Sequence, residues 1–372
     1  MLLSSSLLPG VPLVESPFFE HDAPLALSPE HLKVARDLNA KGYAIIDFPD
    51  PDIAEKIDGI RRDYQDKYDW DGWREKKINS LRIQDAWKTD PRVREIAANP
   101  KILDLLSALY GRRAFPFQTL NFAVGTQQSG HSDHAHFNSV PDRFMCGVWL
   151  AFEDTDEDNG PLFYYPGSHK WPSYQNEHLG VPYSGITTGF PEYKRYVALW
   201  NALAEQQGLE REIYKAKKGQ ALVWSANLLH GGSVQNDLSR TRWSQVTHYF
   251  FEGCAYTTPV ANDVYQGKIK FRTIRNIETE EIIPNVLSGA AIREEFIAGV
   301  NSDFNETQST EAIKLKPIRE KIQISAFRND PLIPADFDPI AYVLANPDLL
   351  QATVDPFEHY VKRGRTEKRR LR

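Results

Sequence analysis

With 372 residues, 41% of them hydrophobic and 25% charged, the chain has the balance of a folded globular protein, long enough for one large core or two modest ones. A formal net charge of −6 argues against a nucleic-acid surface, which needs a concentrated positive footprint. Two cysteines, Cys146 and Cys254, imply no disulfide framework and suit reducing surroundings such as the cytoplasm, and no apolar run is long enough to span a membrane.

Residues 1–27 read as a disordered or loosely docked leader, because the apolar start lacks Lys and Arg and is broken by Pro9-Gly10, unlike a signal peptide. Ser28-Pro29 has the cap-then-proline form of a helix start, and Leu32, Ala35 and Leu38 follow at helical spacing until Gly42. Ile53, Ile57, Ile60 and Tyr64 form a second apolar stripe; Asp90-Pro91 and Asn99-Pro100 open two more short helices ending near Gly111. These helices are expected to buttress one face of a β core.

Next comes a stretch with Trp70, Trp73, Arg82, Gln84, Asp85 and Trp87. Its aromatics can simply cap the core; alternatively Arg82, Gln84 and Asp85 line a substrate pocket, where a few polar groups fix orientation in an apolar cavity. Strand patterns then dominate: Phe117 to Val124, Arg143 to Glu153, Leu162 to Tyr165, Gln220 to Leu229 and Trp243 to Phe251. A helical insertion from Pro191 to Gln207 is placed where it can cover a site.

Within this framework His131-Ser132-Asp133 stands out. On an extended strand His131 and Asp133 point to one side and Ser132 to the other, so both can grip one ion. His230, at the end of the apolar run from Ala221 to Leu229 and followed by Gly231-Gly232 as a tight turn, is the natural second imidazole. Two histidines and one carboxylate leave coordination positions open on Fe(II) for a bidentate 2-oxo acid and O2. Arg242, opening the next strand, can pair bidentately with the distal carboxylate of such an acid.

The ordered series His131-Ser132-Asp133, Asp158-Asn159-Gly160-Pro161-Leu162, Pro166-Gly167-Ser168-His169-Lys170, His230-Gly231-Gly232, and Arg242 with Tyr249 resembles the phytanoyl-CoA dioxygenase family of Fe(II)/2-oxoglutarate-dependent oxygenases across about residues 28 to 260. The resemblance implies a mainly β fold: a double-stranded β-helix (jelly roll, cupin-like) with iron on His131, Asp133 and His230 and the 2-oxoglutarate carboxylate on Arg242. Ectoine hydroxylases of this family have one residue fewer between the distal histidine and the arginine, so Arg240 is a rival for that role; Arg242 is preferred for its spacing from Asn236 and Tyr249. Gln118 and Asn121 are candidate secondary contacts to the co-substrate. Because halogenases of the superfamily lack the carboxylate ligand, Asp133 favours hydroxylation of an unactivated C–H bond, with release of succinate and CO2. No catalytic side chain is expected beyond the metal centre.

His134 and His136 have the same spacing as the ligand pair, but using them would displace Asp133; they are placed in the substrate mouth. His169 belongs to a Pro-Gly-Ser-His turn, and His248 is expected to flank the site in a structural role.

An oxygenase domain over 28–330 would be followed by a small helical module over 331–372. There Asp338-Pro339 and Asp355-Pro356 read as two capped helices, with Glu358 completing a capping box and Gly364 stopping the second. Phe337-Asp338-Pro339, Tyr342, Asn346-Pro347-Asp348 and Asp355 to Tyr360 resemble a motif found beside glycosyltransferase and other cell-surface carbohydrate enzymes, which implies a polysaccharide or lipid-linked precursor as a possible small-molecule substrate. The closing Lys- and Arg-rich segment reads as a solvated tail. The competing function class is a non-catalytic metal-binding β-helix scaffold or binding subunit tied to glycan metabolism; a carboxylate clamp at Arg242 is what such a scaffold would not need.

Overall fold

The computed structural model describes residues 7–75, 77–78, 80–181, 189–262, 269–301, 315, 318, 321–322, 325–352 and 354–371. The chain divides into two compact units, the first ending at Ile297 and the second starting at Ala298.

The first unit opens with helix α1 (Phe19–Ala26) and α2 (Pro29–Lys41). Residues 13 to 26, expected to be loose, are packed: Val14, Phe19 and Ala23 are buried in the main core. Ser28 caps α2 by accepting from His31 N, and Gly42 ends it at φ 86°, both as its sequence indicates. Strand β1 (Tyr43–Asp47) and helices α3 (Ile53–Tyr64) and α4 (Trp70–Arg74) follow, then β2 (Arg82–Gln84), α5 (Pro91–Ala97) and α6 (Pro100–Tyr110). Asp90 and Asn99 cap the last two helices with their side chains.

There follow strands β3 (Ala114–Phe122), β4 (Asn138–Val140), β5 (Met145–Ala151), β6 (Leu162–Tyr164), β7 (Glu212–Tyr214), β8 (Gln220–Ser225), β9 (His230–Gly232), β10 (Ser244–Phe251) and β11 (Ala255–Thr257), with helix α7 (Gly189–Gln206) between β6 and β7, and then four two-residue strands between Ile274 and Ala291. One sheet has the order β1-β8-β5-β10-β3-β2 and a second β7-β6-β9; every pairing in both is antiparallel. Helix is as prominent as strand, so the unit mixes the two more evenly than a mainly β reading suggests. The apolar run before His230 breaks after Ser225, and His230-Gly231-Gly232 is itself a strand of the smaller sheet rather than a tight turn. Its glycines are there for close approach: a Cβ on Gly231 would lie 2.6 Å from the Gln128 carbonyl, and one on Gly232 2.7 Å from Thr126 Oγ1.

In the second unit, α8 (Pro339–Leu344), α9 (Pro347–Ala352) and α10 (Pro356–His359) form three helices where two were expected, since Asn346-Pro347 starts one of its own. Asp338 and Asp355 cap as expected, but Glu358 pairs with Lys362 instead of closing a capping box. Gly364 stops the second helix as expected, ending the π turn (Tyr360–Gly364) that continues α10, and lies against Tyr342, whose hydroxyl a Cβ would meet at 2.0 Å. The expected boundary at residue 330 falls inside this unit, because Leu315 and Ile318 share its core with Tyr342, Val343 and Leu349. Among the described residues, no helix is long and apolar enough to cross a membrane.

The packing of residues 13 to 26 makes a direct prediction. Phe19→Ala removes a ring that is 3% exposed and should cost about 3–5 kcal/mol of stability, read as a lower denaturation midpoint in urea. A loosely docked segment would leave the midpoint where it is.

Candidate functional site

The larger sheet presents one face to a cavity of about 310 Å3. Its register sets the lining side chains in rows. Gln118, His248, Gly147 and Trp224 lie abreast on β3, β10, β5 and β8. The next row holds Gln84, Leu120, Val246, Trp149 and Leu222, and a third holds Arg82, Phe122, Ser244 and Ala151. Since strand residues alternate between faces, Thr119 and Asn121 of β3 belong to the opposite side.

The histidines reach this cavity through a backbone contact. His131 N donates to His230 O at 2.8 Å and His230 N to His131 O at 3.0 Å, the closed pair of an antiparallel bridge, which puts the two imidazoles on one side with ring centroids 4.5 Å apart. Ser132 is extended, and its hydroxyl turns away to donate to Ala226 O. Asp133 therefore returns to the imidazole side, though it opens a 3-10 turn (Asp133–Ala135) where a continued strand was expected. His131 Nε2 lies 3.7 Å from Asp133 Oδ1, and His230 Nε2 lies 3.8 Å from Oδ2. Ligand atoms of the three residues all fall within 4.8 Å of one another.

The surroundings fix which atoms face inward. His131 Nδ1 is bonded to Ser129 O at 3.1 Å and His230 Nδ1 to Leu228 O at 2.9 Å. Carbonyls only accept, so both Nδ1 atoms carry the proton and both Nε2 lone pairs are free for a metal. Trp224 Nε1 donates to Asp133 Oδ2 at 2.8 Å. Burial alone would raise the Asp133 carboxyl, but His230, His248 and His131 together with the indole N–H outweigh it and hold it at about 2. Burial, reinforced by His230, pushes the His131 imidazole down to about 3. An ionised carboxylate beside a neutral imidazole is the donor set that a divalent ion requires.

Arg242 enters from the turn before β10, its backbone N–H on Ala123 O. It is 1% exposed, lines the cavity, and has its guanidinium 5.3 Å from the Trp149 ring centroid. Nε and Nη1 are buried without a hydrogen-bond partner. The nearby Glu153 is committed to Arg61, Thr241 Oγ1 and Trp243 N. Burial lowers the Arg242 pKa to about 10, so it stays cationic at neutral pH. Arg240, its rival, lies outside the cavity in a surface pair with Asp156 at 2.7 Å.

Of the other expected site residues, Arg82, Gln84, Gln118 and His136 line the cavity. Asp85 does not: it sits at φ 54° after β2 and accepts from Thr119 N. Asn121 does not either; its amide donates to Gln245 Oε1 on the far face of the sheet, which removes it as a co-substrate contact. His134 is turned by the 3-10 helix into a separate small cavity with Trp171, Tyr174, Trp200 and Asn227, away from the substrate mouth. His169 is structural, bonded to Asn39 O. His248 stands closer to the centre than a flanking role implies: Nδ1 is bonded to Gln118 Oε1, and Nε2 is 3.8 Å from Asp133 Oδ2.

Two contributors escaped the sequence reading, Trp224 and Gly147. A Cβ on Gly147 would lie 2.1 Å from the Trp224 ring, so the glycine makes room for the indole that holds Asp133. Only the pairing of β5 with β8 brings the two together, and neither residue carries a local signal.

Two imidazoles and one carboxylate grouped beside a free cationic clamp mark the class of two-histidine, one-carboxylate metal proteins. The sequence matches the phytanoyl-CoA dioxygenase family over residues 38–241, and the chain belongs to that family. No curated protein sequence matches it. Among solved structures it is similar to the non-heme alpha ketoglutarate dependent carbocyclase SnoK from nogalamycin biosynthesis, at 16% identity over 65% of this chain and 89% of that one, with a TM-score of 0.47. The epimerase SnoN of the same biosynthesis, solved with Fe3+, alpha ketoglutarate and nogalamycin RO, gives 17% identity over 63% and 88%, with a TM-score of 0.46. EctD from S. alaskensis with 2-oxoglutarate and 5-hydroxyectoine gives 20% over 68% and 84%, with a TM-score of 0.45.

The Trp224 contact is open to test with Co(II) as a spectroscopic probe. Trp224→Phe keeps an aromatic side chain but removes the indole donor, and should weaken Co(II) binding by roughly 10–100-fold. Gly147→Ala should weaken it at least as much by displacing the indole. Unchanged affinity in both would show that Asp133 needs no help from β8.

Proposed function

We propose that the first unit is an Fe(II)- and 2-oxoglutarate-dependent dioxygenase that hydroxylates an unactivated C–H bond of a small molecule, releasing succinate and CO2. The observation that carries this is Arg242: a buried guanidinium with free Nε and Nη1 opens into the same cavity as His131, Asp133 and His230. Leaving such a charge unpaired is costly unless an anion arrives to meet it. Family membership supports the same reading. We take the two antiparallel sheets, six-stranded and three-stranded, as the walls of a double-stranded β-helix.

Iron on Nε2 of His131, Nε2 of His230 and the Asp133 carboxylate would supply the redox chemistry that couples O2 to the oxidation of 2-oxoglutarate and substrate. The chain's own residues do the rest. The Ser129 and Leu228 carbonyls hold the imidazoles in the tautomer that offers Nε2, and Trp224 holds the carboxylate. Arg242 binds the distal carboxylate of 2-oxoglutarate with a two-pronged ion pair, over the apolar floor of Trp149 and Leu222 that excludes water. Gln84, Gln118 and His136 are left to orient the substrate, and helix α7 brings the Tyr193 ring to 4.9 Å from His136. Retention of Asp133 favours hydroxylation over halogenation. A polysaccharide or lipid-linked precursor is the substrate that the C-terminal motif suggests, and the buried free thiols of Cys146 and Cys254 suit the cytoplasm.

Anaerobic titration of the Fe(II)-loaded protein with 2-oxoglutarate tests the proposal through the visible band of the chelate. Wild type should develop the band and His230→Ala should not. Arg242→Ala should weaken 2-oxoglutarate by about 10–100-fold, the worth of a charge-assisted pair. Arg240→Ala should match wild type. Absence of a band in folded, metal-loaded wild type would refute the co-substrate and leave a metal-binding scaffold.

A further inference from the structure

Arg82 gives the cavity a second cation besides the Arg242 proposed for the co-substrate. It belongs to the edge strand β2, shares the cavity face with Phe122, and forms no ion pair or hydrogen bond among the described residues. The charged side chains among those lining the cavity are Arg82, Arg242 and Asp133. In the loaded enzyme the charges of Fe(II) and Arg242 would balance those of Asp133 and dianionic 2-oxoglutarate. Arg82 is then the uncompensated charge.

Geometry separates the two arginines. The Arg242 guanidinium lies over Trp149 of β5, whereas Arg82 sits on β2, with β10 and β3 between. Three strand spacings put the Trp149 and Arg82 backbones about 14 Å apart, so Arg82 stands at the sheet edge away from the ring that carries the Arg242 guanidinium. Along the strands, Arg82 is two rows from Gln118 and His248, which flank Asp133, or about 13 Å at the backbone. Gln84 occupies the row between, and its side-chain amide has no hydrogen bond among the described residues. The exposed edge thus offers a charge, then an amide, then the reacting centre.

We propose that Arg82 recognises an anionic group on the primary substrate, a carboxylate or a phosphate ester, separated by several bonds from the carbon that is oxidised. This rests on the dioxygenase reading and narrows its substrate class.

The test uses full-length protein loaded anaerobically with Fe(II) and saturating 2-oxoglutarate, titrated calorimetrically with hexanoate, hexyl phosphate and neutral hexanamide. Wild type should prefer at least one anion over the amide by roughly fivefold, the scale of a solvent-accessible ion pair, and added salt should erode the preference. The tighter anion identifies the group. Arg82→Gln should abolish the preference while leaving 2-oxoglutarate affinity unchanged, and Arg240→Gln should retain it. The proposal is overturned if wild type shows no anion preference or binds none of the probes, if the preference survives in Arg82→Gln, or if Arg82→Gln weakens 2-oxoglutarate as loss of Arg242 does. Failure of wild type to take up 2-oxoglutarate at all would instead bring down the dioxygenase reading, and this proposal with it.

Discussion

The site depends on the two hydrogen bonds that His131 and His230 exchange through their backbones. Residues directly opposite in an antiparallel pair project to the same side, so this contact alone aligns two imidazoles contributed by distant parts of the chain. Everything adjacent protects it. His230 is also paired with Tyr164 of β6, which fixes β9 in the smaller sheet, and Gly231 and Gly232 let residues 126 to 131 lie flat against that strand. Asp133 follows because Ser132 is extended, and the Ser132 hydroxyl on Ala226 O keeps it so. The ligand geometry is thus set by main-chain bonds, with side-chain rotamers chosen afterwards by the Ser129 and Leu228 carbonyls.

Electrostatics divides the cavity into two ends. At one, a buried carboxylate stays ionised because three imidazoles and an indole N–H outweigh its desolvation. At the other, a buried guanidinium rests on an aromatic ring with two of its nitrogens unpaired. The second arrangement costs folding free energy, and a fold selected for stability alone would pair or replace such a group. On the dioxygenase reading proposed above, a cation at Asp133 and an anion at Arg242 would meet both charges.

How much of this could be read in the sequence follows from what kind of information each residue needed. His131, Asp133, His230 and Arg242 were legible because the chemistry demands those residue types, and a local spacing or a strand start announces them. Asn121 and His134 were misplaced because their direction depends on details that spacing does not carry. Asn121 is odd-numbered on a strand whose even-numbered residues, Gln118, Leu120 and Phe122, line the cavity. His134 follows Asp133 into a 3-10 turn that rotates it away from the ligand face. Arg240 and Arg242 share the same parity, so alternation could not separate them. What does is where the extended chain begins: Arg242 N already bonds Ala123 O, whereas Arg240 is still in the turn and pairs with Asp156. The short strand β1 and the packed segment before α2 were missed for a related reason, since each is stabilised by partners far along the chain or by core contacts rather than by its own pattern.

Helix α7 is tied to the segments that carry the candidate metal ligands. Tyr196, Trp200 and Ala204 of α7 are buried with Ala135, from the turn that carries Asp133, and with Leu229, next to His230. The helix is therefore anchored on the very segments that hold the ligands, while Tyr193, one turn earlier, reaches His136 at the cavity wall. Residues on the anchoring side are constrained by packing against the ligand-bearing backbone, where a lost ring would loosen Asp133 as well as the helix. Tyr193 packs on the same cluster, its ring centroid 6.1 Å from that of Trp200, so its contact with His136 is held by the anchor as well. The placement of α7 is thus dictated by the segments that carry Asp133 and His230.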